Sequence, residues 1–392
     1  MPLLAAFRLL FALASLAILA VSAYLLWSWF DGYPVYLGDG QYGRGREDWR
    51  LWTGLGLLAW SFLGRFVIVF LTAKSDRTKP DFARRPGGTI VSVTGATLHY
   101  EISGRTDGPT VVLTHGWGLD STIWANVKTR LEANYRVIAW DLAGLGRSTR
   151  SPHRETSLEA FAEDLGVVTT LAGEEPLILV GHSIGGMTIQ TFARERPECF
   201  ARRVAAVVLL NTTYSNPLKT MVFSPLATAL RRPVIEPMMK LTIILQPVFW
   251  LGAWQSYLSG SAHLSARLGF GRYVTRKQLD HTALLTTRNA PGVQARGNLA
   301  MFRWDAGVSL SDKITPTLVI GGDMDIVTKL EASEVIAART SRSALKTVTG
   351  VNHMGFLERG ETYADEILAF LSSLTAAAVR TPQPTVEPPP VA

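Results

Sequence analysis

The sequence predicts an α/β domain, with a mostly parallel central sheet flanked by helices, that follows two N-terminal transmembrane helices. Three observations predict it. Two apolar segments of more than 20 residues precede residue 74, and short apolar runs alternate with amphipathic segments from about Gly88. In addition, only 18 % of the 392 residues are charged while 47 % are hydrophobic. A charged share well below about 25 % indicates that part of the chain avoids water.

The composition also excludes some classes of protein. The apolar content excludes disorder of the whole chain, and the single cysteine, Cys199, excludes a disulfide-stabilised secreted fold. No basic motif with interleaved aromatic residues occurs, so no nucleic-acid partner is expected. The net charge is 39 − 32 = +7, and residues 212–305 alone carry 11 basic and three acidic residues, 11 − 3 = +8. We expect this basic region to dock on anionic lipid headgroups.

Residues 1–87 are predicted to form a membrane hairpin and a linker. The first helix covers about residues 9–30, which carry no charge, and the second covers about residues 51–73, which carry only Arg65. Each is long enough to cross ~30 Å of hydrocarbon as a helix. The long side chain of Arg65 is expected to reach towards the polar end at Lys74.

The residues beside the two segments orient the hairpin. Four tryptophans flank the connecting loop, as an aromatic belt at one membrane surface does: Trp27, Trp29, Trp49 and Trp52. Five basic residues follow the second segment: Lys74, Arg77, Lys79, Arg84 and Arg85. The positive-inside rule therefore predicts an integral membrane protein whose large domain lies on the cytoplasmic side. An alternative for the first segment is a cleaved signal peptide, because residues 21–23 read Val-Ser-Ala.

The remainder divides into four predicted pieces. They are a first core part, a helical cap, a second core part and a disordered tail, at residues 88–211, 212–310, 311–376 and 377–392. Continuous apolar strands separated by helices are typical of a parallel sheet that is covered on both faces. The alternation stops for about 100 residues after Asn211, which indicates the inserted cap, and the last twelve residues contain five prolines.

A serine motif joins one predicted strand to a helical segment. Residues 181–186 read Gly-His-Ser-Ile-Gly-Gly and follow the apolar run 177–180. On a tight strand-to-helix turn, small neighbours permit strained backbone angles and expose the serine Oγ. The following helix N-terminus points amide donors at the same place. We therefore predict that Ser183 is a nucleophile; the alternative is a structural Gly-Ser turn.

A nucleophilic serine needs a general base, and the base needs an orienting acid. His353 is the best candidate base, because it follows the last predicted strand in a glycine-bounded loop. The preceding strand ends in two candidate acids, Asp323 and Asp325. No clustered His or Cys accompanies these aspartates, so neither a metal nor a cofactor is expected.

Five motifs in this order resemble the α/β-hydrolase fold superfamily over residues 88–374. They are HGWG at 115–118, DLAGLGRS at 141–148, GHSIGG at 181–186, GGDMDIV at 321–327 and GVNHMG at 350–355. The resemblance implies an α/β-hydrolase fold with the helical cap over the active site. It also favours Asp325 over Asp323 as the acid, and it implies an oxyanion hole made by the backbone N–H groups of Trp117 and Ile184.

The function expected from these residues is that of a membrane-anchored serine hydrolase. It would cleave hydrophobic or lipid-like carboxylic esters through an acyl-serine intermediate, with a small-molecule or lipid ester and the bilayer as partners. The uncharged cap residues 241–254 indicate either packing on the sheet or a lid that faces the bilayer. Thioesterase, lactonase and acyltransferase chemistry on the same triad remain alternatives, as does a catalytically silent binding protein.

Overall fold

An eight-stranded sheet forms the centre of the computed structural model, which describes residues 2–76, 81–153, 155–307, 309–310 and 314–380. A separate antiparallel hairpin consists of β1 (Tyr33–Gly38) and β2 (Gln41–Gly45). The strands of the large sheet are β3 (Gly87–Val91), β4 (Thr97–Gly104), β5 (Thr110–Thr114), β6 (Arg136–Trp140), β7 (Leu177–His182), β8 (Val204–Leu210), β9 (Thr317–Gly322) and β10 (Ser343–Val348).

The order across the large sheet is β10-β9-β8-β7-β5-β6-β4-β3. β4 pairs antiparallel with β3 and with β6, and the other neighbours are parallel. The predicted mostly parallel sheet is therefore confirmed. Because successive side chains of a strand face opposite sides, Val111 and Leu113 of β5 enter one apolar cluster and Val112 enters the other. Continuous apolar runs are needed here because both faces of the sheet are buried.

Helices cover both faces of the sheet, and others form the N-terminal helix pair and the helical region between β8 and β9. They are α1 (Pro2–Asp31), α2 (Asp48–Thr72), α3 (Ala125–Leu131), α4 (Leu158–Thr169), α5 (Ile184–Glu195), α6 (Pro197–Arg203), α7 (Pro217–Thr220), α8 (Ser224–Leu230), α9 (Glu236–Ile244), α10 (Gln246–Ser259), α11 (Ser261–Arg267), α12 (Arg276–Arg288), α13 (Pro291–Met301), α14 (Leu330–Arg339), α15 (Gly355–Glu358) and α16 (Gly360–Arg380). Helices α7 to α13 form the cap and lie between β8 and β9 in the chain.

The end of the chain differs from the sequence-based expectation. Helix α16 continues to Arg380, so residues 377–380 of the predicted disordered tail are helical. The run Thr375–Arg380 contains three alanines and a basic last residue, and both favour a helix. Residues 381–392 lie outside the described residues.

Among the described residues, two helices are each long and apolar enough to cross a membrane. Their candidate spans are Leu10–Asp31, with a mean hydropathy of 2.2, and Asp48–Thr72, with a mean hydropathy of 1.9. The two helices pack closely, as the hydrogen bond from Ser22 Oγ of α1 to the carbonyl oxygen of Gly54 of α2 at 2.8 Å shows. A Cβ atom on Gly54 would lie only 2.9 Å from Leu26, so this contact requires the glycine.

The connection between the two helices contains an element that was not predicted. Strands β1 and β2 form a hairpin whose turn carries Asp39 with φ 48° and Gly40 with φ 76°. An Asp-Gly pair is a strong hairpin signal, because both residues tolerate positive φ. The signal is present in the sequence as Asp39-Gly40.

The basic linker after α2 is built into the large domain. The guanidinium of Arg84 pairs with three buried carboxylates, those of Glu101 at 3.0 Å, Asp120 at 2.7 Å and Asp141 at 3.1 Å. Burial alone would lower the pKa of Arg84, but the three carboxylates outweigh that effect and raise it. Arg84, expected from the sequence to be a topology signal, therefore also fixes the linker to the core.

Arg65 has an aromatic partner that was not predicted. Its guanidinium lies 4.7 Å from the ring centroid of the neighbouring Phe66 and 5.0 Å from that of Tyr257 in α10, so the charge also contacts the cap. Sequence reasoning missed this partner because Tyr257 is 192 residues away in the chain.

Candidate active site

The serine predicted as nucleophile lies on a strained turn between β7 and α5. Ser183 has φ 54° and ψ −118°, angles that a residue with a side chain rarely adopts. The turn closes tightly, since a Cβ atom on Gly181 would lie 2.5 Å from the backbone of Gly185. A Cβ atom on Gly185 would in turn clash with the carbonyl oxygen of Thr114 in β5. These glycines are therefore required by the backbone and not by the chemistry.

The structure brings the three predicted triad residues together. Ser183 Oγ lies 3.0 Å from His353 Nε2, and His353 Nδ1 lies 3.0 Å from Asp325 Oδ2. The three residues are 4 %, 3 % and 4 % exposed. With Asp325 ionised, Nδ1 carries the imidazole proton and donates a hydrogen bond to the carboxylate. Nε2 is therefore free to accept a hydrogen bond from the serine hydroxyl.

The carboxylate of Asp325 is held in its ionised form. Burial alone would raise its pKa, but the adjacent His353 and hydrogen bonds from Asn211 and Thr328 outweigh burial and lower the pKa. Asn211 Nδ2 donates to Oδ2 at 3.0 Å, and the backbone N–H groups of Val327 and Thr328 donate to Oδ1 at 2.8 and 2.9 Å. A carboxylate that accepts this many hydrogen bonds is fixed in place and in charge.

The second candidate acid has another task. Asp323 Oδ1 accepts a hydrogen bond from the backbone N–H of Gly350 at 2.7 Å, at the start of the loop that carries His353. The structure thus places Asp325, and not Asp323, beside the imidazole. Among the described residues, no three His, Cys, Asp or Glu side chains cluster in a way that fits a metal ion.

The predicted oxyanion loop is fixed by its first residue. His115 is fully buried, and burial lowers its pKa, so the imidazole is neutral. Its Nδ1 donates to the carbonyl oxygen of Gly116 at 2.8 Å, and its Nε2 accepts from the backbone N–H of Leu142 at 3.0 Å. The loop therefore has one defined backbone course.

The two predicted oxyanion donors are the backbone N–H groups of Trp117, in the loop at residues 115–118, and of Ile184, the residue after the serine. Ile184 is the first residue of α5, and the N–H groups of a first helical turn have no acceptor within the helix. Trp117 follows Gly116, whose Cα approaches the ring of His182 so closely that a Cβ atom would clash with it. The loop at residues 115–118 and the turn that carries Ser183 are thus packed against each other through His182.

Four polar residues that support the triad were not predicted. His182 Nε2 donates to the carbonyl oxygen of His353 at 3.0 Å, and burial together with the neighbouring His353 lowers the pKa of His182 far below its usual value. Asn352 Oδ1 accepts from the backbone N–H groups of Ile326 and His353 at 3.0 and 2.8 Å, which joins the acid loop to the base loop.

The other two, Asn211 and Thr328, hold the acid. Thr328 Oγ1 donates to Asp325 Oδ2 at 2.9 Å, and Asn211 does so through its amide, as described above. A signal existed for both residues. Asn211 follows the carboxyl end of β8 at the same sheet edge as the triad, and Thr328 lies three residues after Asp325, where a side chain commonly bonds back within a turn.

The cap covers the oxyanion loop through α13. Trp117 Nε1 donates to the carbonyl oxygen of Gln294 at 3.1 Å, and the Trp117 indole lies against Gly297 so closely that a Cβ atom there would clash with the ring. The position of the loop that carries one proposed oxyanion donor therefore depends on a glycine of the cap.

We expect Gly297→Ala to lower kcat for ester hydrolysis by about ten- to a hundred-fold, because a displacement of about 1 Å at a reacting group has effects of that size. The measurement is steady-state kinetics with a soluble nitrophenyl ester. Gly166→Ala in α4 is the matched control, since its Cβ would lie 3.4 Å from the nearest atom, in Phe192. Equal kinetics for the two variants would show that the Trp117 loop does not depend on this contact.

Comparison with known proteins agrees with this fold. The family described as alpha/beta hydrolase fold matches residues 109–360. A pimeloyl-[acyl-carrier protein] methyl ester esterase of Vibrio atlanticus is 24 % identical over 279 residues, which is 70 % of this chain and 98 % of that protein. The crystal structure of the esterase RhEst1 from Rhodococcus sp. ECU1013 superposes with a TM-score of 0.61 at 25 % identity, and it covers 74 % of this chain and 99 % of the esterase.

A much longer protein also contains a similar region. The polyketide synthase ThaQ of Burkholderia thailandensis is 27 % identical over 304 residues, which is 75 % of this chain. The chain spans only 13 % of the length of that synthase. The similarity therefore concerns one region of the synthase.

Proposed function

The chain belongs to the α/β-hydrolase family, and on that premise we propose that it is a membrane-anchored serine hydrolase of hydrophobic carboxylic esters. The observation that carries the proposal is the hydrogen-bonded chain from Ser183 Oγ through His353 to Asp325, with both distances 3.0 Å. A serine hydroxyl, an imidazole and a carboxylate in this order are the parts of nucleophilic acyl transfer. The esterase relatives are named for the same class of reaction.

The proposed reaction has two steps. His353 Nε2 takes the proton of Ser183 as Oγ attacks the ester carbonyl, and the imidazolium then gives that proton to the leaving alcohol. Water next attacks the acyl-serine with the same proton transfers, so that the products are an alcohol and a carboxylic acid. The N–H groups of Trp117 and Ile184 are the proposed donors to the oxyanion, and each such donor is typically worth about 2.7–4 kcal/mol.

The hydrophobic substrate class rests on the cap. Large apolar side chains on α9 and α10 are exposed, among them Leu241, Ile244, Val248 and Leu251. Contiguous exposed apolar surface on this scale marks a contact with lipid, ligand or protein. We expect the rate with nitrophenyl esters to rise from the acetate to esters of eight or more carbons. A strict preference for the acetate would leave an esterase but contradict the hydrophobic substrate.

The anchoring proposal is that α1 and α2 both span the bilayer, with the large domain on the cytoplasmic side. It is supported by the candidate spans and by the basic residues that follow α2. In a Cys199→Ser background, Asp39→Cys at the hairpin turn should react with an impermeant maleimide in spheroplasts, whereas Thr106→Cys in the large domain should react only after lysis. Both positions are exposed. The reverse pattern would place the domain outside the cytoplasm.

A further inference from the structure

Helix α10 of the cap is in intimate contact with both candidate spans. A Cβ atom on Gly252 would lie 3.3 Å from Leu16 of α1, and one on Gly64 of α2 would lie 2.5 Å from the carbonyl oxygen of Ser259. Gln255 Nε2 donates to the carbonyl oxygen of Ser61 at 3.0 Å. Close approach at small residues, with polar side chains bonded across the interface, is typical of helices packed within a membrane.

A cluster of serines fixes the same junction. Ser15 of α1 lies 2.9 Å from Ser259 and 2.8 Å from Ser261, measured between Oγ atoms. Ser15 precedes the end of α1 at Asp31 by sixteen residues, and Gly64 follows the start of α2 at Asp48 by sixteen. At 1.5 Å per residue, both contacts lie about 24 Å from the connecting loop. Helix α10 therefore crosses both spans at one level.

That level is within the apolar segment of α2. Gly64 lies nine residues before Ala73, the last residue of the segment, or about 13 Å along the helix. A hydrocarbon core is about 30 Å thick, so a contact about 24 Å from the loop end lies inside the leaflet next to the large domain. Helices that lie in a membrane interface are typically buried by 5–10 Å.

The single charged residue of the apolar segment 51–73 provides an independent observation at this depth. Arg65 is directed at the ring of Tyr257, whose Oη donates to Asp280 Oδ1 at 2.9 Å. His263 Nε2 also lies 2.9 Å from Asp280 Oδ1. A charge within a membrane span is costly unless it is paired. Besides the Phe66 ring of α2, the guanidinium meets the Tyr257 ring of the cap, and this contact is expected only if the cap reaches the level of Arg65.

The surface of the cap at this level is apolar. The helical segment Ser224–Ile244 leads into α10, and the two are bent by 100° between Ile244 and Gln246. Ile244 is 74 % exposed and Leu251 is 65 % exposed, and residues 241–262 contain no charged residue. Apolar side chains of α2, such as Phe66, are also exposed.

We propose that α9 and α10 are inserted into the leaflet that faces the large domain, so that lipid acyl chains cover Ile244 and Leu251. The contact of α10 with both spans and the contact of Arg65 with Tyr257 favour lipid over a protein partner as the occupant. The proposal depends on the anchoring of α1 and α2, but it is independent of the ester chemistry.

Helix α10 is connected to the catalytic site through packing contacts with α13. Trp250 Nε1 donates to the carbonyl oxygen of Thr287 at 2.9 Å, and Gln246 lies directly against Gly292 of α13. Helix α13 is the one that carries Gln294 and Gly297 beside Trp117. Resting on the proposed function, this connection supports as substrate an ester whose acyl chain is dissolved in the same leaflet.

The test uses the full-length protein, reconstituted in phosphatidylcholine vesicles, with nitroxide labels on single cysteines in a Cys199→Ser background. The labelled positions are Ile244 and Leu251, with Phe66 as the reference in α2 and Val93 as the reference on the large domain; Phe66 is 58 % and Val93 is 73 % exposed. The measurement is the collision rate of each label with oxygen, which concentrates in lipid, and with a neutral nickel chelate, which stays in water.

We expect Ile244 and Leu251 to match Phe66, with high accessibility to oxygen and low accessibility to nickel, and Val93 to show the opposite. Labels at Ile244 and Leu251 that behave like Val93 would overturn the proposal. Shielding from both reagents would also overturn it, because it would show that protein covers the surface. An aqueous signal at Phe66 would overturn the membrane hairpin together with this proposal.

A second measurement tests the substrate source. Leu251→Glu should slow hydrolysis of a nitrophenyl palmitate incorporated in the vesicles by at least tenfold relative to hydrolysis of soluble nitrophenyl acetate. An equal effect on both esters, or none on either, would overturn the leaflet as the source. Absence of hydrolysis of both esters by the unmodified protein would contradict the proposed function itself, while the label accessibilities would be unaffected.

Discussion

Replacing Ser183 with alanine should lower kcat for nitrophenyl esters by about 10⁵-fold or more, because the proposed reaction cannot form an acyl intermediate without Oγ. The substitution removes one atom from a residue that is 4 % exposed and whose backbone N–H remains bonded to the carbonyl oxygen of Leu210 at 3.0 Å. The fold should therefore persist. The measurement compares kcat and the thermal unfolding midpoint of the purified variant with those of the unmodified protein.

A second buried serine provides the control. Ser333 in α14 is fully buried, and its Oγ has no hydrogen-bond partner among the described residues. Ser333→Ala should therefore keep the activity within about twofold, since the removed hydroxyl makes no bond that contributes to stability. A Ser183→Ala protein that retains more than about 1 % of the activity would show that another residue is the nucleophile.

Asp325→Asn should lower kcat by about 10⁴-fold at neutral pH, the size of effect seen when the acid of such a triad is replaced by its amide. The carboxylate accepts hydrogen bonds on both oxygens, and its lowered pKa keeps it ionised. An amide in this place presents an NH₂ group to at least one donor. His353 then loses its acceptor at Nδ1, and the imidazole takes the tautomer that cannot receive the serine proton.

Asp323→Asn is the matched control for that variant. Asp323 uses one oxygen to accept from the N–H of Gly350, and the amide oxygen of asparagine preserves this bond. We expect kcat to fall by no more than a few-fold. If Asp323→Asn were as damaging as Asp325→Asn, the assignment of the acid would be wrong. Steady-state kinetics at several pH values distinguishes a variant in which His353 no longer acts as a base from one whose pH optimum has shifted.

The predictable part of the structure is the part encoded locally. Each buried strand is a continuous apolar run, and the elbow at residues 181–186 is a short motif whose glycines are required by backbone geometry, so the sequence predicted the strands and Ser183. The order serine, acid and histidine along the chain then limited the acid to two aspartates. The choice of Asp325 came from resemblance, and the structure supplies its reason, which is that Asp323 is bonded to Gly350.

The unpredicted part depends on contacts between distant segments. His182 supports the loop of a residue 171 positions away, and Arg65 meets a tyrosine of the cap. No periodicity or spacing in the sequence indicates such pairs, because each depends on the packing of complete elements. Arg84 shows the related case of a charge with two interpretations. A topology signal and a buried ion-pair partner have the same sequence pattern, and only the fold distinguishes them.

The central claim is that Ser183 is the nucleophile of a serine hydrolase, and covalent labelling tests it most directly. The protein is treated with a fluorophosphonate, which phosphonylates an activated serine with loss of fluoride, and the adduct is located by mass spectrometry of peptides. We predict one adduct, on Ser183, that forms slowly or not at all in Asp325→Asn and His353→Gln. Absence of an adduct in the folded protein, or an adduct on another serine, would contradict the account.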